Sequence, residues 1–232
     1  MITSNHSKIS DYPIKMDQYP LAKDIQFREY TLLPNQYIYI PKSWLHWIFT
    51  EPHTVSFHYV FKEDDYYSDQ DECDLFMDDI RSNVPFTGES LTSNTFRTDD
   101  FFKENQNEVF NVIYSSTWDT SPVEKIENKV KIEKKETLAQ IMNSDASLFK
   151  YAGRNNVNPS NLYFIPYLDI NRIIYSSYTF ECLPTLWFSI DKKIHSGLHN
   201  DNISTLIYVV SGKKTVLLAE PKYKNNLYFI GW

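Results

Sequence analysis

Leu33-Pro34-Asn35-Gln36-Tyr37-Ile38-Tyr39-Ile40-Pro41-Lys42-Ser43-Trp44-Leu45-His46-Trp47 is the stretch that decides how this chain folds. Pro34 fixes its own φ and Asn35 tolerates turn geometry, so Leu33-Pro34-Asn35 reads as a turn. Gln36 to Ile40 follows as an aromatic and β-branched strand, and Pro41 stops it. Trp44 to Phe49 is a short apolar stretch, and Thr54 to Phe61 closes the block as another strand. Upstream, Ile25 to Leu32 alternates loosely. Residues 1–62 therefore read as a strand-rich block.

A second strand-rich block occupies 184–232. Leu186 to Ile190 is one strand. Ser196 to Asp201 lies near a strand end. Thr205 to Val210 is ended by Ser211-Gly212, and Thr215 to Ala219 is stopped by Pro221. The intervening 63–183 has another character, helical and loop-rich. Glu63 to Ile80 is acidic and helical in its second half, where Leu75, Phe76 and Ile80 recur at helical spacing. Ser82 to Asp100, polar with Pro85 and Gly88, reads as a loop. Val109 to Tyr114 and Lys129 to Glu133 read as strands. Thr137, with Gln140 three residues on, suits the N-cap of a short helix ending near Asn143. Arg154 to Asn161 reads as an Asn-rich loop.

Composition narrows the class. The chain has 232 residues, 42% hydrophobic and 23% charged, which is globular rather than disordered. It is 16% aromatic with only 5 Gly, which favours strands. A net charge of −7 argues against nucleic acid as a partner. No apolar run approaches the ~18 residues of a membrane helix. The first residues lack the charged-then-apolar order of a signal peptide. Cys73 and Cys182 stand too far apart for a disulfide framework or a Cys-based zinc site. The expectation is an intracellular protein, cytoplasmic or nuclear, with no membrane partner.

The chemistry is concentrated in His199-Asn200-Asp201. Residues i and i+2 of a strand face the same way, so an imidazole nitrogen and a carboxylate can converge on one ion there. Two His and one carboxylate with open positions form the facial triad of non-haem Fe(II) oxygenases. A lone His-x-Asp is weak, because it is common by chance. The acidic run Asp64 to Glu72 lacks the central Gly of a calcium loop and reads as a solvated face.

The wider context carries a resemblance. Trp187-Phe188, Ser196, His199, Asp201 and Lys214, followed by an apolar strand ending at Pro221, resemble the first half of a JmjC or cupin-like 2-oxoglutarate oxygenase core, closest to its asparaginyl-hydroxylase branch. The segment Leu33 to Trp47 resembles the second half of that core, which supplies the second His and places it at His46. The halves stand in swapped order: 25–61 look like strands five to eight and 184–219 like strands one to four.

The resemblance implies a mainly β fold with helical insertions, a circularly permuted double-stranded β-helix (jelly roll). Residues 1–62 would be the second half of the barrel, 63–183 an insert and 184–232 the first half. It implies Fe(II) held by His46, His199 and Asp201, and 2-oxoglutarate bound by Lys214 with help from Ser196. The expected reaction is hydroxylation, or N-demethylation, of a protein or peptide side chain. His58 stands where that branch has an Asn. Asn35 and Gln36 replace its Gly and Asp at the turn. His53 and His195 read as structural or exposed. Two rival expectations are a catalytically inactive cupin-fold binding protein and an incomplete remnant of a larger JmjC protein.

Overall fold

The computed structural model describes residues 4–61, 82–89, 96–118, 131–156 and 185–229. The chain is mainly β. Strands β1 (Ser4–His6), β2 (Arg28–Leu32), β3 (Gln36–Ile40), β4 (Leu45–Thr50) and β5 (Val55–Phe61) come from the first block. Strands β6 (Phe86–Glu89), β7 (Val109–Ser115), β8 (Lys131–Thr137) and β9 (Phe149–Asn156) follow. The last block supplies β10 (Thr185–Ser189), β11 (Ile194–Asp201), β12 (Ser204–Ser211) and β13 (Lys214–Ala219). They form two antiparallel sheets, in the orders β1-β11-β4-β13-β2 and β6-β3-β12-β5-β10-β9-β7-β8.

The chain alternates between the sheets within each block. β2 and β4 lie in the small sheet, β3 and β5 in the large one. β10 and β12 lie in the large sheet, β11 and β13 in the small one. The two blocks therefore interleave: β4 sits between β11 and β13, and β12 sits between β3 and β5. The segments around Ser7 and Phe229 also pair, through an antiparallel bridge.

Three apolar clusters hold these layers. Ile38, Ile40, Ile207 and Val209 of the large sheet meet Ile48, Val216 and Leu218 of the small one, in the space between the sheets. The outer face of the large sheet packs Phe57, Leu206 and Phe188 under Phe101 and Phe102 of helix α1 (Thr98–Glu104) and Ile141 of helix α2 (Leu138–Met142). The outer face of the small sheet packs Trp47, Phe49 and Leu217 under Ile9, Ala22 and Leu227. Alternation along each strand sends one set inward and the other outward, so both sheets are covered on both faces.

Several elements depart from the sequence reading. Residues 82–100 contain β6 and the start of α1 rather than a continuous loop. β6 forms because the edge of β3 offers unpaired backbone groups, and α1 because Phe101 and Phe102 bury on the large sheet. β9 runs to Asn156, into the Asn-rich segment, since it is paired on both sides by β10 and β7. The described part of 63–183 thus adds four strands to the large sheet besides two short helices. The acidic segment 63–80 and both cysteines lie outside the described residues. Thr137 does cap α2: its hydroxyl accepts from the Gln140 N–H while Gln140 accepts from the Thr137 N–H. Among the described residues no helix is long and apolar enough to cross a membrane.

Candidate metal centre and adjoining cavity

β4 and β11 place the chemistry. His46 and His199 are directly opposed across this strand pair, so both rings face the space between the sheets. Asp201, two residues on, shares that face. A bulge sets this phase. His195 pairs with Phe49 and Leu198 with Trp47, three steps on β11 against two on β4. The extra residue is accommodated at Gly197, whose φ is 74°, a conformation open to glycine.

The rings are held. The His46 Nδ1–H donates to the Trp44 carbonyl at 2.9 Å, and the His199 Nδ1–H donates to the Gly197 carbonyl at 2.9 Å. A carbonyl only accepts, so each Nδ1 carries a proton and each Nε2 is the ring nitrogen turned toward Asp201. Those Nε2 atoms stand 3.6 Å and 4.0 Å from Asp201 Oδ2. One donor atom from each of the three residues lies within 4.8 Å of the others. Burial, then the neighbouring His199, lowers the His46 pKa to about 4, so its ring is neutral at neutral pH. Two imidazole nitrogens and one carboxylate are a donor set suited to a divalent first-row metal. Cis ligand atoms on such an ion lie roughly 3 Å apart, slightly closer than the separations here.

A cavity of about 400 Å³ adjoins the three residues. His58, Tyr151, Trp187 and Ser196 line it, with Ile48 and Ile207 as apolar wall. Lys214 contacts two of those residues: its Nζ lies 3.4 Å from Tyr151 Oη and 3.4 Å from His58 Nε2. The lysine is 0% exposed, and burial alone lowers its pKa to about 7. Among the described residues no carboxylate pairs with it. An ammonium in apolar surroundings without a counter-charge is costly, and an anion beside Tyr151 and His58 would offset that cost. Burial and the Lys214 charge likewise hold the His58 pKa well below the usual imidazole range. Burial pushes the Tyr151 hydroxyl up, so it stays a neutral donor.

The residues singled out in the sequence fall as follows. His46, His199 and Asp201 come together. Lys214 is buried beside the cavity, while Lys213 is exposed. Ser196 lines the cavity, with its hydroxyl donating to the Gly197 carbonyl at 3.2 Å. His195 is buried and structural: its Nδ1 accepts from Trp47 Nε1 at 2.9 Å and from the Gly197 N–H at 3.0 Å. His53 is exposed at a turn. At the turn before β3, Asn35 takes the left-handed φ of 73° that a Gly would adopt, and its Oδ1 accepts from Tyr208.

Four contributors were not legible. Tyr151 sits on β9, which had no strand signal of its own. Gly197 was read only as part of a motif, not as a bulge. His6 on β1 stacks its ring on His199 at 5.1 Å and 16°. Gly153 matters through its neighbour, because a Cβ there would stand 2.4 Å from the Trp187 ring. No family model matches the chain, and neither the curated proteins nor the solved structures include one similar to it.

Proposed function

We propose that this chain is an Fe(II)- and 2-oxoglutarate-dependent oxygenase that hydroxylates a protein side chain, built on a JmjC-like double-stranded β-helix whose halves are permuted. The observation that carries this reading is the convergence of His46 with His199 and Asp201. They come from opposite ends of the described chain, yet their rings are oriented by backbone carbonyls with both Nε2 atoms toward one carboxylate.

The strand order supports the fold part. Four strands from each block alternate between sheets and interleave, as eight strands of a jelly roll do. An incomplete remnant would leave an apolar inner face open. Here Ile38 and Ile207, from different blocks, pair in register and pack together.

The residues divide the work. His46, His199 and Asp201 would hold the metal on three positions and leave others open. Fe(II) with 2-oxoglutarate and O₂ supplies oxidation of a C–H bond, giving a hydroxyl, succinate and CO₂. Lys214 would pair with the distal carboxylate of the cosubstrate, with the Tyr151 and Ser196 hydroxyls as further donors. Ile48 and Ile207 would exclude water from that carboxylate, which strengthens its attraction to Lys214.

The test is succinate release from 2-oxoglutarate with Fe(II), in the wild type and in His199→Ala. The expected result is turnover in the wild type that the substitution abolishes. Equal background rates in both would sink the proposal.

A further inference from the structure

We infer that the side chain presented to this centre is uncharged and aliphatic, an inference that rests on the oxygenase reading. The cavity differs between its two ends. One end holds His58 and Tyr151, with the Lys214 ammonium against them. The other end is a collar. Thr205 is flanked in register by Ile40 on β3 and Val60 on β5. Ile203 follows in the turn two residues after Asp201. All four line the cavity, and Val60, Ile203 and Thr205 are half-exposed, as are His58 and Trp187. Directly opposed side chains on neighbouring strands stand about 5 Å apart, so Ile40, Thr205 and Val60 form one continuous surface.

That surface selects by chemistry. Among the described lining residues there is no Lys, Arg or Glu, and the one carboxylate, Asp201, is the neighbour of His46 and His199. A methylated ammonium is recognised by an aromatic cage or a carboxylate. The aromatic rings of this cavity are already in use: Trp187 stacks on His58 at 4.8 Å and leans on Tyr151 at 5.4 Å. A cation reaching them would also meet the charge of Lys214. A side chain the size of Leu or Val meets aliphatic groups on three strands' worth of collar. The favoured outcome is therefore hydroxylation of an aliphatic C–H bond rather than loss of an N-methyl group. One oxygen atom of O₂ enters that bond, and the other goes to succinate as 2-oxoglutarate loses CO₂.

Mn(II), with 2-oxoglutarate, is the probe that tests this without turnover. Water proton relaxation reports Mn(II) occupancy. Paramagnetic relaxation of the methyl protons then compares N-acetyl-leucine N-methylamide with N-acetyl-trimethyllysine N-methylamide. The leucine probe should relax roughly tenfold more strongly, the discrimination expected from burying one aliphatic side chain. Val60→Asp should reverse the preference, and Ile203→Asp, in a turn, serves if Val60→Asp does not fold. Equal or stronger relaxation of the trimethyllysine probe in the wild type would overturn the inference. So would relaxation of neither probe while Mn(II) is bound. Failure to bind Mn(II) at all is a separate result, and it removes the oxygenase reading itself.

Discussion

Replacing Lys214 by Met should make the ligand-free protein more stable and blind to 2-oxoglutarate. The lysine is fully buried, and burial lowers its pKa from 10.5 to about 7, a cost of about 5 kcal/mol while it stays charged. The unfolded chain keeps its proton up to about pH 10.5 and the folded one only to about pH 7. The unfolded state therefore binds more protons between those values, and stability rises with pH across the window. Below pH 7 the cost is complete; above 10.5 it is gone. Met keeps the length without the charge. It gives up two contacts of 3.4 Å, each worth at most about 1 kcal/mol. Lys214→Met should gain roughly 3 kcal/mol at pH 6 and about nothing at pH 9. Urea unfolding of both proteins at the two pH values reads this difference, and subtracting them cancels groups that titrate elsewhere. Burial, the larger cause of the low His58 pKa, remains when the Lys214 charge is removed, so His58 stays below this range in the variant. With Mn(II) and 2-oxoglutarate at about 100 times Kd, the wild type should gain about 2.7 kcal/mol and the variant little. A stability difference that does not change between pH 6 and 9 would refute the reasoning, as would a variant less stable than the wild type at pH 6.

Other substitutions probe the frame around the site. Gly197→Ala puts a Cβ on a residue at φ 74° and should cost about 1–2 kcal/mol in urea unfolding. Because the Gly197 carbonyl orients His199, Mn(II) affinity should fall by about tenfold or more; unchanged affinity would separate the bulge from the metal. Gly153→Val drives side-chain atoms into the Trp187 ring and should cost about 1–3 kcal/mol, with a change in tryptophan fluorescence. Asn35→Val forces a β-branched residue to φ 73° and removes the acceptor of Tyr208, for a loss of about 1–3 kcal/mol in thermal or urea unfolding.

The sequence was most readable where one residue type does one job. Pro41 and Pro221 stop strands, and Gln36–Ile40 forms a strand because its alternate residues face two apolar layers. Thr137 and Gln140 cap a helix through contacts within four residues, so the signal is local. The convergence of His46, His199 and Asp201 was legible because the resemblance puts those three residue types at fixed places around one point. The missed elements depend on partners distant in sequence. β9 is a strand because β10 and β7 offer it edges, and nothing within Phe149–Asn156 announces that. β1 exists because the edge of β11 was open, and Tyr151 joins the cavity only through the strand that carries it.

The interleaving of the two blocks and the bulge at Gly197 bear on one question, which is what a convergent donor cluster requires of a fold. Antiparallel neighbours need the right edges and register, and the route by which the chain joins them is secondary. His46 meets His199 because β4 lies against β11, whether the chain reaches β4 before or after. Register is the stricter condition. Were Gly197 to pair as a regular strand residue instead of bulging, Leu198 would oppose His46, and His199 with Asp201 would turn to the outer face among Trp47 and Leu217. A one-residue slip of β11 against β4 would thus disperse the three side chains, whereas the order in which the chain visits the two strands would not. The same bulge lets the Gly197 carbonyl fix the His199 tautomer and its N–H engage His195, so phase and proton position are set by one residue. That coupling helps bring one donor atom each of His46, His199 and Asp201 within 4.8 Å of the others.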